Sequence, residues 1–129
     1  MSAVIDTNVL IYDTFEDSAL HSEAKNKLDG LKRWHVPMIV IHEYIWFMKG
    51  EDIDLSLTKD KVLEYVTHEK TEIVSEDADE VLFAIERIKS YRDYNDYLIL
   101  ASARRFDEPL LTFDHRLKEV AARIGVNVI

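Results

Sequence analysis

Short aliphatic runs alternate along the chain with stripes of apolar residues at helical spacing. Ala3-Val4-Ile5 reads as a buried strand that stops at Asp6-Thr7-Asn8, a polar cluster suited to turns and caps. Leu20, Ala24, Leu28 and Leu31 recur between charged residues and predict an amphipathic helix closing near Gly30. His35 to Val40 predicts a second strand, with Pro37 confined to an early position, and Ile41 to Met48 predicts a helix that is apolar nearly all round. Glu51 to Leu57 reads as a loop, followed by a helix that carries Val62, Leu63, Tyr65 and Val66 and takes Thr58 as its cap.

The second half repeats the alternation. Thr71 to Val74 predicts a third strand, and Asp77 with Glu80 has capping-box spacing ahead of a buried stripe of Ala78, Val81, Leu82, Ile85 and Ile88. Asp93 or Asn95 caps the next helix, which runs through Leu98, Ile99, Ala101, Ser102 and Phe106 until Pro109 forbids continuation. Leu110 to Phe113 predicts a fourth strand ending at Asp114, then a helix to about Ile124, punctuation at Gly125, and a closing strand from Val126 to Ile129. Parallel neighbours need crossovers, so this order implies an α/β fold with a central parallel sheet flanked by helices. At 129 residues, positions 1–129 make one domain.

Composition narrows the chemistry. With 16 Lys and Arg against 25 Asp and Glu, the formal charge of −9 argues against a simple electrostatic clamp on phosphates; nucleic-acid work would need a cation. Zero cysteines exclude disulfides and thiolate metal sites and suit a reducing cytoplasm. No apolar run has the roughly 20 residues that span a bilayer. The basic residues Lys32, Arg33, Arg92, Arg104, Arg105 and Arg116 are scattered, the pattern of a solvated surface.

Two predicted strands end in aspartate, at Asp6 and Asp114. Open α/β sheets place their ligand crevice outside the carboxyl ends of the strands, so neighbouring strands would present both side chains there; each aspartate also suits a helix cap. Glu43 lies in the apolar helix and needs compensation, either from His42 or from a cation shared with the two aspartates. Asp96 opens a helix, where capping is its ordinary role, and Asp93 three residues earlier could share its face. Should Asp6, Glu43, Asp96 and Asp114 converge, two such charges about 5 Å apart would repel by roughly 3 kcal/mol. An all-oxygen set selects Mg²⁺ or Mn²⁺, ions suited to phosphodiester hydrolysis, and the five histidines show no zinc spacing.

Val4-Ile5-Asp6-Thr7-Asn8-Val9-Leu10, Val40-Ile41-His42-Glu43-Tyr44, Asp96 to Ala103 and Leu111-Thr112-Phe113-Asp114 together resemble the PIN-domain ribonucleases, and in order and spacing the VapC toxins of toxin–antitoxin pairs. The resemblance covers essentially the whole chain. It implies a sheet in the order 3-2-1-4-5, RNA cleavage dependent on Mg²⁺ or Mn²⁺, a homodimer and a VapB-like antitoxin partner. On matching positions Asp6, Glu43, Asp96 and Asp114 are the acidic ligands, with Asn8, Thr112 and Asp93 in support. VapC-like chains often carry another acid and an aromatic after the fourth aspartate, whereas Asp114 is followed here by His115-Arg116-Leu117, which leaves a second metal position unsupported. Phosphoacceptor folds fit less well: Asn8 stands where a haloacid-dehalogenase-like phosphatase wants aspartate. The remaining alternative is a catalytically silent interaction module using Trp46, Phe47 and the Tyr91 to Tyr97 region.

Overall fold

The computed structural model describes all 129 residues. Four parallel strands, β1 (Ser2–Ile5), β2 (Arg33–Pro37), β3 (Thr71–Val74) and β4 (Leu110–Leu111), form one sheet in the order β3-β2-β1-β4. Seven helices surround it: α1 (Thr7–Thr14), α2 (His21–Gly30), α3 (Met38–Gly50), α4 (Leu55–Thr67), α5 (Ala78–Arg87), α6 (Tyr94–Phe106) and α7 (His115–Arg123). β1 lies in the middle, with Ala3, Val4 and Ile5 fully buried, as a strand covered on both faces requires. Its register sets Val4 opposite both His35 and Leu110, and Ile5 opposite Leu111. Leu28, Tyr44, Met48, Ile99, Leu100 and Leu117 complete a single apolar core.

The parallel wiring places several helix starts at one edge. α1, α3 and α7 follow strands directly and so begin at the carboxyl edge of the sheet; α6 precedes β4 and must begin there too. At the far end of α6, Asp107 takes a left-handed conformation (φ 50°), a role aspartate tolerates better than branched residues, and turns the chain into β4.

Several sequence expectations are corrected. Of the turn and cap roles open to Asp6-Thr7-Asn8, Asp6 takes the cap, and α1, a helix not expected there, starts at the next residue with Val9 and Leu10 in the core. The second strand stops at Pro37 instead of reaching Val40, so Pro37 closes it. Pro37 is extended (φ −59°, ψ 142°) at the cap of α3, and the Glu76 carboxylate accepts from the freed Ile39 N–H at 3.1 Å. α4 begins at Leu55 with Asp54 as its cap, which leaves Thr58 buried inside the helix. Nor is α3 apolar-buried all round, since Ile45 and Trp46 are exposed.

The stripe Val81, Leu82 and Ile85 faces solvent, with Leu82 54% exposed. α5 packs on α6 through Ala84 and Glu80 instead. Arg105 donates to Glu80 Oε1 at 2.6 Å and the Ser102 hydroxyl to Oε2 at 3.3 Å, so a compensated charge is turned inward and the aliphatic face outward. The fourth strand ends at Leu111 because the Phe113 N–H donates to Asn8 Oδ1 and leaves the ladder. The fifth strand is consequently reduced to one bridge, Leu110 to Val128, on the side of β4 where the expected order put it.

Two substitutions separate these faces. Leu111→Ala should cost about 2–5 kcal/mol in urea unfolding, because a fully buried side chain leaves a cavity. Leu82→Gln should cost under about 1 kcal/mol; a loss as large as that at Leu111 would show that the stripe is buried.

Candidate active site

At the carboxyl edge, β1 and β4 deliver Asp6 and Thr112 side by side, continuing the Ile5–Leu111 register. Asp6 is buried, yet both its oxygens are satisfied. Oδ1 accepts from the Thr7 N–H at 2.7 Å, and Oδ2 accepts from the Thr112 hydroxyl at 2.6 Å. Thr112, itself fully buried, uses its full hydrogen-bonding capacity: its oxygen also accepts from Asn8 Nδ2 at 3.4 Å and from the Asp114 N–H at 3.0 Å. Asn8 closes the loop by accepting from Phe113. One hydroxyl thus fixes the two strand-end aspartates relative to each other.

Asp114 caps α7, its Oδ1 accepting from Arg116 N–H at 2.9 Å and Leu117 N–H at 3.3 Å, while no protein donor reaches Oδ2. Capping and site placement are therefore combined in the same two side chains. Glu43, in the second turn of α3, is half-buried between two donors: Thr7 Oγ1 at 2.6 Å and Asn95 Nδ2 at 3.1 Å. These contacts gather α1, α3 and α6 around one carboxylate. His42 is exposed and lies near Trp46, so it does not compensate Glu43.

Thr7 and Asn95 are the partners that sequence reasoning missed. Thr7 stood inside the D-T-N motif without a role, and Asn95 was considered only as a cap; it lies inside α6, and Asp93, at the cap position, makes no side-chain cap bond. Instead Asp93 Oδ1 accepts from Arg116 Nη2 at 2.6 Å.

Electrostatics shows that the acids share one region. Burial pushes the Asp6 carboxyl up from 3.8 to about 6 against the lowering effect of its hydrogen bonds from Thr112 and Thr7, and the charges of Glu43 and Asp114 add to the rise. Burial also raises Asp96, to about 7, followed by the charges of Asp6, Glu43, Asp114 and Asp93; no hydrogen bond offsets them. The start of α6, where Asp96 sits, offers the positive end of the helix dipole as partial relief. No group of three or more His, Asp or Glu side chains is gathered tightly enough to cage a metal. A Mg²⁺ ion requires fewer protein ligands than such a cage, because it keeps several waters and takes one or two carboxylates. The oxygens of Asp96 and Oδ2 of Asp114 retain lone pairs for such an ion, and an all-oxygen set suits a hard cation.

The PIN domain family matches residues 3–123. Comparison with curated protein sequences gives no match. Among solved structures, a toxin–antitoxin complex from Klebsiella pneumoniae is similar at 22% identity and a TM-score of 0.70, over 98% of this chain and 95% of that one. VapC20 of Mycobacterium tuberculosis, described as a sarcin-ricin loop cleaving toxin, is similar at 14% identity and a TM-score of 0.78, over 92% of this chain and 94% of that one. VapBC2 from Rickettsia felis, bound to a DNA fragment from its promoter, is similar at 17% identity and a TM-score of 0.72, over 100% and 98%. At these identities the structures speak for a shared fold.

A raised carboxyl pKa means that the folded protein binds more protons than the unfolded chain between 3.8 and about 7, so the stability these groups allow falls as pH climbs through that window. Asp96→Asn should therefore stabilise the cation-free protein increasingly from pH 4 to pH 8, reaching on the order of 2 kcal/mol once partial exposure is discounted, as read by urea melts. A constant difference across that range would refute it. Thr112→Val should cost about 1–3 kcal/mol by leaving an Asp6 oxygen and the Asp114 N–H unpaired. Unchanged stability there would mean the hydroxyl bridges nothing.

Proposed function

The chain belongs to the PIN domain family, and on that premise we propose that it is a metal-dependent endoribonuclease, the toxin of a VapBC-type toxin–antitoxin pair. The observation carrying this reading is that Asp6, Glu43, Asp96 and Asp114 lie at one edge of the sheet, with Thr112 bonded to both Asp6 and Asp114, and with Thr7 and Asn95, the chain neighbours of Asp6 and Asp96, both bonded to Glu43. Four helices and loops bring them together at an energetic cost that a folded scaffold retains only with a compensating gain. A silent interaction module gains nothing from that cost, which favours the enzyme.

In this reading the residues divide their work. Asp6 and Glu43 are the positioned ligands, each clamped by two donors, so their oxygens need little reorganisation when a cation enters. Asp96 and Asp114 supply the oxygens that no protein donor occupies. Thr112 and Asn8 hold the strand ends in register, and Asp93 holds Arg116 beside the site. A Mg²⁺ or Mn²⁺ held by these acids would supply positive charge against the phosphate and acidify a water, which would reconcile an acidic chain with an anionic substrate.

RNA as substrate is supported by the similarity to the M. tuberculosis protein described as a sarcin-ricin loop cleaving toxin. A protein partner is supported by the toxin–antitoxin assemblies among the similar structures. In this reading an antitoxin and a second copy of the chain cover the exposed apolar surface. One such area is a groove of about 410 Å³ between α3 and α4, lined by Ile45, Leu55, Val62, Leu63 and Val66; the other is the outward face of α5. No helix is long and apolar enough to cross a membrane; a cytoplasmic location belongs to the same proposal.

Asp6→Asn tests the reading without removing the helix cap, since asparagine caps equally well. Purified protein should cleave RNA with Mg²⁺ or Mn²⁺, and activity should fall by about 100-fold or more in EDTA or in the variant. Equal cleavage under all these conditions, or none under any, overturns the proposal.

A further inference from the structure

Beside the carboxylates, between α6 and α7, lies a cavity of about 180 Å³ whose wall includes Asp96, Asp93, Lys89, Arg116 and Arg123. It is small beside the roughly 300–1,000 Å³ of sites that enclose a whole organic ligand, and it suits one charged group with its waters. Three cations on one small cavity run against the average of a chain with formal charge −9. Arg116 is held in place by Asp93 through a single Nη2 contact, which leaves most of its five N–H donors free. Neither Lys89 nor Arg123 forms an ion pair. The two unpaired cations and the anchored guanidinium thus share a space that opens on Asp96.

We propose that this cavity is a subsite for the RNA backbone phosphate next to the one being cut, held by Lys89, Arg116 and Arg123. A phosphate offers several acceptor oxygens to converging donors, and an arginine fork together with a lysine point charge matches it. Asp93 already gives Arg116 a carboxylate, so the remaining donors look for a second anion. Because Asp96 belongs both to the cavity and to the acidic edge, a phosphate held here fixes the strand's register across the seam between α6 and α7. Such a contact orients RNA without reading its bases. The inference rests on the nuclease reading and adds to it the direction in which substrate leaves the carboxylates. Lys89 and Arg123 were not among the basic residues that the sequence singled out; neither has a basic neighbour in the chain, and only the placing of α7 beside the segment that leads into α6 brings them to one cavity.

The test is a Lys89→Gln/Arg123→Gln double variant, with Arg116 left to hold Asp93. Binding of a short end-labelled single-stranded RNA is followed by fluorescence anisotropy in EDTA, so that affinity is read without cleavage. Affinity should fall about fivefold or more, and the slope of log K against log salt should flatten by about 0.7 for each lost phosphate contact, at an unchanged melting temperature. Unchanged affinity and slope, beside a wild type that cleaves RNA with Mg²⁺, overturn the subsite and leave the nuclease reading standing. A wild type that neither binds nor cleaves RNA overturns both. A double variant that binds RNA normally but loses its protein partner assigns the cavity to an acidic segment of that partner, and overturns the subsite as well.

Discussion

Burial of carboxylates at the end of a parallel sheet is the constraint around which the rest of the molecule is arranged. Each such charge would be more stable in water: burial is the largest cause of the raised pKa of both Asp6 and Asp96, and the neighbouring acids add to it. The protein offsets this with local donors rather than with lysines or arginines. Thr112 and the start of α1 hold Asp6; Thr7 and Asn95 hold Glu43; the start of α7 holds Asp114. Asp96 has no such donor and shows the larger pKa rise of the two raised aspartates. The offset is partial, since both aspartates keep a raised pKa.

The same economy appears in the caps. A helix N-terminus needs an acceptor, and an α/β sheet places helix starts where a ligand crevice forms. Asp6 and Asp114 meet the first need with one oxygen and remain at the crevice with the other. Helix capping and site chemistry are therefore complementary accounts of these two residues. Glu80 shows the contrasting solution for a buried acid: paired with Arg105 and Ser102, it binds α5 to α6.

That pairing also explains the largest departure from the hydrophobic pattern. Periodicity assigns an apolar stripe to the core, as it does correctly for Leu28 in α2 and Ile99 in α6. In α5 the stripe of Val81, Leu82 and Ile85 turns outward because the capping-box glutamate is needed inside. The pattern of a single helix cannot say which face meets a neighbour that supplies an arginine from 25 residues further along. Similarly, the polar triplet after β1 suits a turn as well as a cap, and in the fold Asp6 caps α1 while Thr112 bonds Asp6 and Thr7 bonds Glu43.

By itself the sequence determined the alternation of strands and helices, hence the parallel sheet, and it marked Asp6, Glu43, Asp96 and Asp114, because β-branched runs, caps and isolated acids are local signals. Tertiary structure alone decided which donors stand against those acids. The bonds from Thr7 and Asn95 to Glu43 and the bridge from Thr112 to Asp6 join residues 36 to 106 positions apart, and Lys89, Arg116 and Arg123 gather only in the folded chain. Contacts of that range depend on strand order and helix docking, which one stretch of chain does not encode.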